Sequence, residues 1–157
     1  KADSGDILSQ EKINIEKNDN AQILYGKIEK VAIKQIEQFL PELASGEYKK
    51  IAQDNKISNT WRKRKKEDGR IDWRLTAESI HNLVQALSSP YPGAYFEFNS
   101  AIIKVWKTQI VPDNKKNIEP GKILEINKNG IRVKTGSDSI VLIQTDPQII
   151  FQKGEYL

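Results

Sequence analysis

Apolar residues recur at spacings of three and four along residues 21–43, a pattern that predicts an amphipathic helix. Asp19 precedes this stretch and Gln22 follows three residues later, so the two residues form a capping-box pattern at its start. Gly46 is typical of the residue that ends a helix. The sequence therefore predicts one long helix in its first third.

A shorter helix is predicted to begin after Thr76, whose hydroxyl can cap its first turn. Its apolar positions share one face and are Ala77, Ile80, Leu83, Val84 and Leu87. Ser88-Ser89-Pro90 predicts the end of this helix.

From Ala94 onward, short apolar runs alternate with turns, which is typical of strands. Asn129-Gly130 is a strong hairpin signal within this region. Five strands are predicted, at residues 95–98, 102–107, 122–126, 131–133 and 140–143. One or two further short strands are predicted within 7–15. The five later strands predict a small, partly open OB-like β-barrel.

The net positive charge of the chain is concentrated in one segment. Of the net +4, residues 61–74 supply seven Lys and Arg against three Asp and Glu, whereas residues 75–157 carry nine against eight. The run 62–66 could therefore contact phosphate through Lys63 and Arg64, with Trp61 as a stacking residue. A solvated linker is the alternative interpretation of this run.

Composition narrows the classes of site. The absence of Cys excludes disulfides and thiolate zinc sites, and no metal is predicted, since His81 is the only histidine. His81 lies on the polar flank of the second helix and is interpreted as structural. No run approaches the length needed to span a bilayer, and the polar start argues against a secretory signal, so a cytoplasmic protein is expected.

Two segments of the chain resemble a known family. The first is Asp3-Ser4-Gly5-Asp6-Ile7; the second runs from Asp68 through Ile71-Asp72-Trp73 to Pro90-Tyr91-Pro92-Gly93-Ala94. Their order resembles the 10-formyltetrahydrofolate-dependent formyltransferases, where the catalytic domain joins the C-terminal domain. The resemblance implies an α/β remnant of a Rossmann-like catalytic domain at 1–60, a basic linker at 61–74, and a helix with the OB-like barrel at 75–157.

The resemblance also implies a catalytic role for Asp3. In that family an Asp completes an Asn, His and Asp constellation, and the matching residue here is Asp3. The family's Asn, His and folate-binding loops precede this Asp, so the chain alone is predicted to be inactive. The alternative interpretation is that Asp3 is an ordinary turn residue.

The implied reaction transfers a formyl group from 10-formyltetrahydrofolate to an amine. A nucleotide-linked amino sugar is the favoured acceptor, because residues 64–73, 90–92 and 104–107 look more like sugar N-formyltransferases. Charged initiator tRNA, the substrate of methionyl-tRNA formyltransferase, is the alternative. A non-catalytic OB-type nucleic-acid-binding module and a homodimerisation element are two further possibilities.

Overall fold

The computed structural model describes residues 3–157 and divides the chain into two compact units. The first contains the residues up to Asp19 together with Ile23–Lys63. The second contains Asn20–Gln22 and Arg64–Leu157. Among the described residues, no helix combines the length and apolar character that crossing a bilayer requires.

The first unit is built around helix α1, Ala21–Ser45, which confirms the long helix predicted from spacing. Gly46 follows it with a φ of +78°, the left-handed conformation expected of a helix-ending glycine. The Asp19 carboxylate accepts from the Glu16 backbone N–H at 2.8 Å and pairs with Lys27. Asp19 therefore secures the turn before the helix. The predicted capping box with Gln22 stays a prediction.

The strands predicted within 7–15 do not form. In this segment the backbone of Ile7 pairs with Ile51 in a single antiparallel bridge, with N···O distances of 2.8 and 2.9 Å. Ile15 is exposed. Period-two alternation is not enough to make a strand, since a strand also needs a neighbouring backbone to pair with along its length. The described part of the first unit thus contains no sheet, and the Rossmann-like α/β layer is not found in it.

The second unit pairs one helix with one antiparallel sheet. Helix α2 is Ala77–Ala86, and the Thr76 hydroxyl accepts from the Ser79 backbone N–H at 3.0 Å, as its predicted cap requires. The five predicted strands all form: β1 Ala94–Phe98, β2 Ala101–Val111, β3 Ile123–Asn127, β4 Gly130–Lys134 and β5 Ser139–Asp146. Their order in the sheet is β1-β2-β5-β4-β3.

The sheet stays open, so the predicted OB-like barrel is wrong. Closure would require β1 to pair with β3, but other segments cover both edges. The Ile71 backbone N–H donates to the Tyr95 carbonyl at 2.7 Å on the β1 side. On the β3 side, the Ile123 N–H donates to the Glu155 carbonyl at 2.8 Å. These contacts occupy part of each edge, and β1 and β3 stay at opposite ends of the strand order. The nucleic-acid-binding module inferred from a barrel loses its basis.

The core of the second unit lies between α2 and the sheet. Phe96 stands at its centre, edge-on to Trp73 with ring centroids 5.5 Å apart and close to Phe151 at 6.3 Å. The fully enclosed residues around it come from α2 and from every strand: Ile80, Val84, Ala94, Ile103, Val105, Ile123, Val133, Ile140 and Leu142. This core fixes the positions of the loops on which the second candidate site is built.

Candidate functional sites in the two units

The segment that carries Asp3 is held by its main chain. The Gln53 side-chain amide donates to the Asp3 carbonyl at 3.2 Å and to the Gly5 carbonyl at 2.6 Å. Asp3 has a φ of +60°, a conformation that Asp tolerates better than most residues, and it is exposed. This arrangement presents a carboxylate at the surface on a fixed turn. No local pattern in the sequence indicates that Gln53 would hold that turn.

A second carboxylate in the same segment has a structural partner. Asp6 forms an ion pair with Lys50 at 2.8 Å, and this pair raises the pKa of Lys50. Asp6 therefore helps to join the opening segment to residues 50–53, whereas the assignment of a catalytic role to Asp3 stays a prediction.

The predicted phosphate-contact residues do not all belong to one unit. Trp61 and Lys63 lie in the first unit, and Arg64 begins the second. The Trp61 side chain is 77% exposed, and its indole N–H donates to the Asn59 amide oxygen at 3.0 Å. Their proposed contacts with substrate stay predictions.

The turn at Asp68-Gly69 is a short 3₁₀ helix, Lys66–Gly69. The Asp68 carboxylate accepts from the Lys65 backbone N–H at 2.7 Å, which fixes the path of the basic run as it enters the second unit. Gly69 is buried, and an added Cβ there would meet the Leu87 side chain at 3.1 Å. Close packing therefore explains the glycine.

The proline-rich loop at residues 90–93 directs the chain from α2 into β1. The Gly93 N–H donates to the Leu87 carbonyl at 3.0 Å, and Gly93 adopts a φ of +89°. A Cβ at Gly93 would approach the Trp106 ring to 3.0 Å. The glycine thus lets the loop pass against Trp106 and enter β1.

His81 belongs to α2, and its partly buried side chain contacts β2. Its Nδ1 lies 2.8 Å from the Thr108 hydroxyl, and its Nε2 contacts the Gln85 amide. Both ring nitrogens therefore have polar neighbours within the fold, which agrees with a structural role.

The second unit carries a groove, called here the basic groove, with a volume of about 1210 Å³. Its apolar surface is supplied by Leu83, Leu87, Tyr91 and Ile102, and its cationic rim by Arg64, Lys65, Lys66 and Lys104. Asp68 and Asp146 are the carboxylates that line it. Four cations against two carboxylates give the groove an excess of positive charge.

Two of these cations are held against aromatic rings. Lys66 Nζ lies 5.8 Å from the centroid of Tyr95, and Lys104 Nζ lies 5.5 Å from that of Trp106. Tyr95 and Lys104 are direct partners across β1 and β2, so their side chains share one face of the sheet. Both ammonium-bearing residues line the same groove. Sequence reasoning missed this pairing because Lys104 lies within residues 75–157, which carry little net charge as a whole.

One carboxylate close to the entry of α2 has a perturbed acidity. Asp72 forms hydrogen bonds with the Arg74 guanidinium, which hold its pKa at about 2, below the usual 3.8. This pair is a surface turn with no reacting group beside it. Among residues 3–157, no three His, Asp or Glu side chains group together as a metal site would require.

Comparison with known proteins agrees with the sequence resemblance. Residues 63–149 match the family model described as the formyl transferase C-terminal domain. The chain is 34% identical over 148 residues to a methionyl-tRNA formyltransferase of Staphylococcus epidermidis, covering 94% of this chain and 47% of that protein. It therefore spans about half the length of the curated relatives it matches.

Solved structures share the fold at lower identity. HypX from Aquifex aeolicus in complex with tetrahydrofolic acid aligns with a TM-score of 0.68 at 17% identity, covering 90% of this chain and 24% of that one. An N-formyltransferase from Helicobacter canadensis, solved with folinic acid and dTDP-3-aminofucose, aligns with a TM-score of 0.65 at 19% identity. That alignment covers 90% of this chain and 51% of the other.

Proposed function

Because the chain belongs to the formyl transferase family through its C-terminal domain, we propose that it is part of an enzyme that formylates an amine. The donor would be 10-formyltetrahydrofolate. The family match over residues 63–149 carries this proposal, and the 34% identity across 148 residues supports it, because that alignment extends beyond the matched domain.

Asp3 is the residue of this chain that we place at the reaction. The amine nitrogen attacks the formyl carbon, the oxyanion needs stabilisation, and the developing ammonium must lose a proton. A carboxylate beside an imidazole raises the imidazole pKa and orients it for that proton transfer. Asp3 would serve in this way, toward a histidine contributed by another part of the protein.

The folate donor would be bound mainly outside this chain. The residues that flank Asp3, from Ser4 to Asp6, are exposed, so they offer a surface rather than an enclosure for a pteridine ring. We assign residues 1–60 to the end of the catalytic domain and residues 75–157 to the C-terminal domain. On this assignment the 157-residue chain by itself does not catalyse.

A nucleotide-linked amino sugar is the acceptor we favour. The residues that support it are those of the junction, above all Ile71-Asp72-Trp73 and Pro90-Tyr91-Pro92. The methionyl-tRNA formyltransferase relative supports charged initiator tRNA as a second candidate. Assays of the whole protein with both acceptors separate them, since each reaction gives a different formylated product. We also propose a cytoplasmic location and a homodimer.

The role of Asp3 is tested by Asp3→Asn in the whole protein. Loss of a group that orients an acid–base catalyst lowers the rate by about 10² to 10⁴-fold. Asp6→Asn is the matched control, because Asp6 lies in the same exposed segment and pairs with Lys50. A wild-type protein that formylates neither acceptor contradicts the proposed function. Full activity of Asp3→Asn contradicts only the role of Asp3.

A further inference from the structure

We infer that the basic groove binds a nucleoside diphosphate, with the phosphates on the Lys66 and Lys104 ammonium groups and the base on the apolar surface. This inference goes beyond formyl transfer. It concerns binding by the second unit itself and holds whichever acceptor the enzyme uses.

Two cations of the groove lie over aromatic rings, where the phosphates would bind. Lys66 lies over the Tyr95 ring, and Lys104 is the cross-strand partner of Tyr95 and lies over Trp106. An ammonium group held over an aromatic face has lost part of its freedom before any ligand arrives, which lowers the entropic cost of binding. Two neighbouring cations match the two charged groups of a diphosphate.

An apolar surface beside those cations is available for the base. Leu83 of α2 and Leu87, which follows the helix, line the groove, and the half-exposed side chains of Tyr91 and Ile102 border it. A flat, weakly polar ring is the ligand group that such a surface accommodates, with Tyr91 available for stacking. An inorganic anion would leave this apolar surface unused.

The two carboxylates of the groove predict whether a given substitution strengthens or weakens binding. Asp68 already accepts from the Lys65 backbone N–H, which commits it to the turn. Asp146 is the partner of Lys104 across β2 and β5, so its negative charge opposes an anion at that ammonium. Neutralising Asp146 should therefore strengthen binding, whereas neutralising Lys104 should weaken it.

The test measures binding of thymidine diphosphate, thymidine and pyrophosphate to the 157-residue chain by calorimetry, with the site located by amide chemical shifts. We expect the diphosphate to bind at least about tenfold more tightly than either part alone, with shifts at Tyr91, Tyr95 and Lys104. Equal affinity for pyrophosphate would reduce the groove to a simple anion site and overturn the inference. Tighter, more salt-dependent binding of a thymidine oligonucleotide would instead make it a nucleic-acid surface and also overturn it.

Substitutions of the charged residues test whether the diphosphate binds in the basic groove. Lys104→Gln should weaken the diphosphate Kd about tenfold and the more exposed Lys66→Gln about threefold, while Asp146→Asn should tighten it about threefold. Lys128→Gln is the control, since Lys128 is exposed in the turn between β3 and β4 and does not line the groove. Lys66 is also exposed, so its replacement should leave the fold intact. Equal affinity in all four variants contradicts the site.

Discussion

The two units use apolar residues in opposite ways. In the second unit, side chains such as Phe96, Ile103 and Leu142 are almost fully enclosed. In the first unit, α1 leaves large apolar side chains at the surface: Ile23, Tyr25, Ile28, Ile33, Ile36, Leu40 and Leu43. Equal hydrophobicity along the sequence thus does not mean equal burial, and the stability of this chain should reside in the second unit.

A pair of matched side-chain truncations tests this contrast in burial most directly. Phe96→Ala removes the ring that joins Trp73 and Phe151, so we expect it to lower the free energy of unfolding by about 3–5 kcal/mol. Ile36→Ala, at a side chain that is 48% exposed, should cost less than about 0.5 kcal/mol. Urea unfolding followed by circular dichroism measures both, and similar costs would contradict the contrast.

A second comparison concerns one ion-paired carboxylate in each unit. Asp113 has a side chain only 2% exposed and lies 3.7 Å from Arg132 and 3.9 Å from Lys134, whose side chain is 8% exposed. Asp113→Ala leaves these cations without their counter-charge and should cost about 3 kcal/mol. Asp6→Ala, which removes the exposed partner of Lys50, should cost less than about 1 kcal/mol. Urea unfolding measures both losses of stability. Equal losses would show that burial does not determine how much these ion pairs stabilise the fold.

The start of α2 provides a smaller test. Thr76→Ala removes the hydroxyl that accepts from the Ser79 N–H, so we expect a loss of about 1 kcal/mol in the second unit. Thr76→Ser keeps a capping hydroxyl and should recover most of this loss. If Thr76→Ser were as unstable as Thr76→Ala, the methyl group rather than the cap would be responsible.

The smallest expected effect depends on pH. The pKa of Asp72 is lowered to about 2 in the folded chain, so the pair with Arg74 stabilises fully above the unfolded value near 4. This stabilisation disappears as the pH falls through about 2. Because both side chains are exposed, it should amount to less than about 1 kcal/mol. A double-mutant cycle with Asp72→Asn and Arg74→Gln should show coupling at pH 7 that is mostly lost at pH 2, where about half of the folded carboxyl groups are protonated. Coupling that is undiminished at pH 2 would reject this pair as its origin.

The elements that local chemistry specifies were predictable from sequence. Helix α2 follows from a capping hydroxyl and one apolar face, and Gly130 lies at the predicted β3–β4 hairpin with a φ of +128°. The strands predicted at 7–15 failed because a strand depends on a partner elsewhere in the chain. The barrel failed for the same reason: residues 70–71 and 154–156 cover the sheet edges, and no local pattern indicates that.

The candidate sites show the same division. Asp3 could be selected only through the order of motifs around it, because Asp-Ser-Gly by itself is ordinary turn chemistry. The basic run was visible as charge, but of its three selected residues only Arg64 lines the groove. The remaining parts, Tyr95, Lys104 and Asp146, meet through strand register. Register is a tertiary property, so residues 31 to 82 positions beyond Arg64 could not be joined to it by spacing alone.

The covered edge of β3 has a consequence for handling the protein. Residues 154–157 pair with the backbone at the start of β3. The Ile123 N–H donates to the Glu155 carbonyl at 2.8 Å, the Gly154 N–H donates to the Ile123 carbonyl at 2.9 Å, and the Leu157 N–H donates to the Gly121 carbonyl at 3.0 Å. Trimming these residues would uncover an edge next to the apolar Ile126, and an uncovered edge recruits strands from other molecules. A protein without these residues should therefore aggregate. Residues 154–157 thus protect the protein from self-association as well as pairing with the sheet.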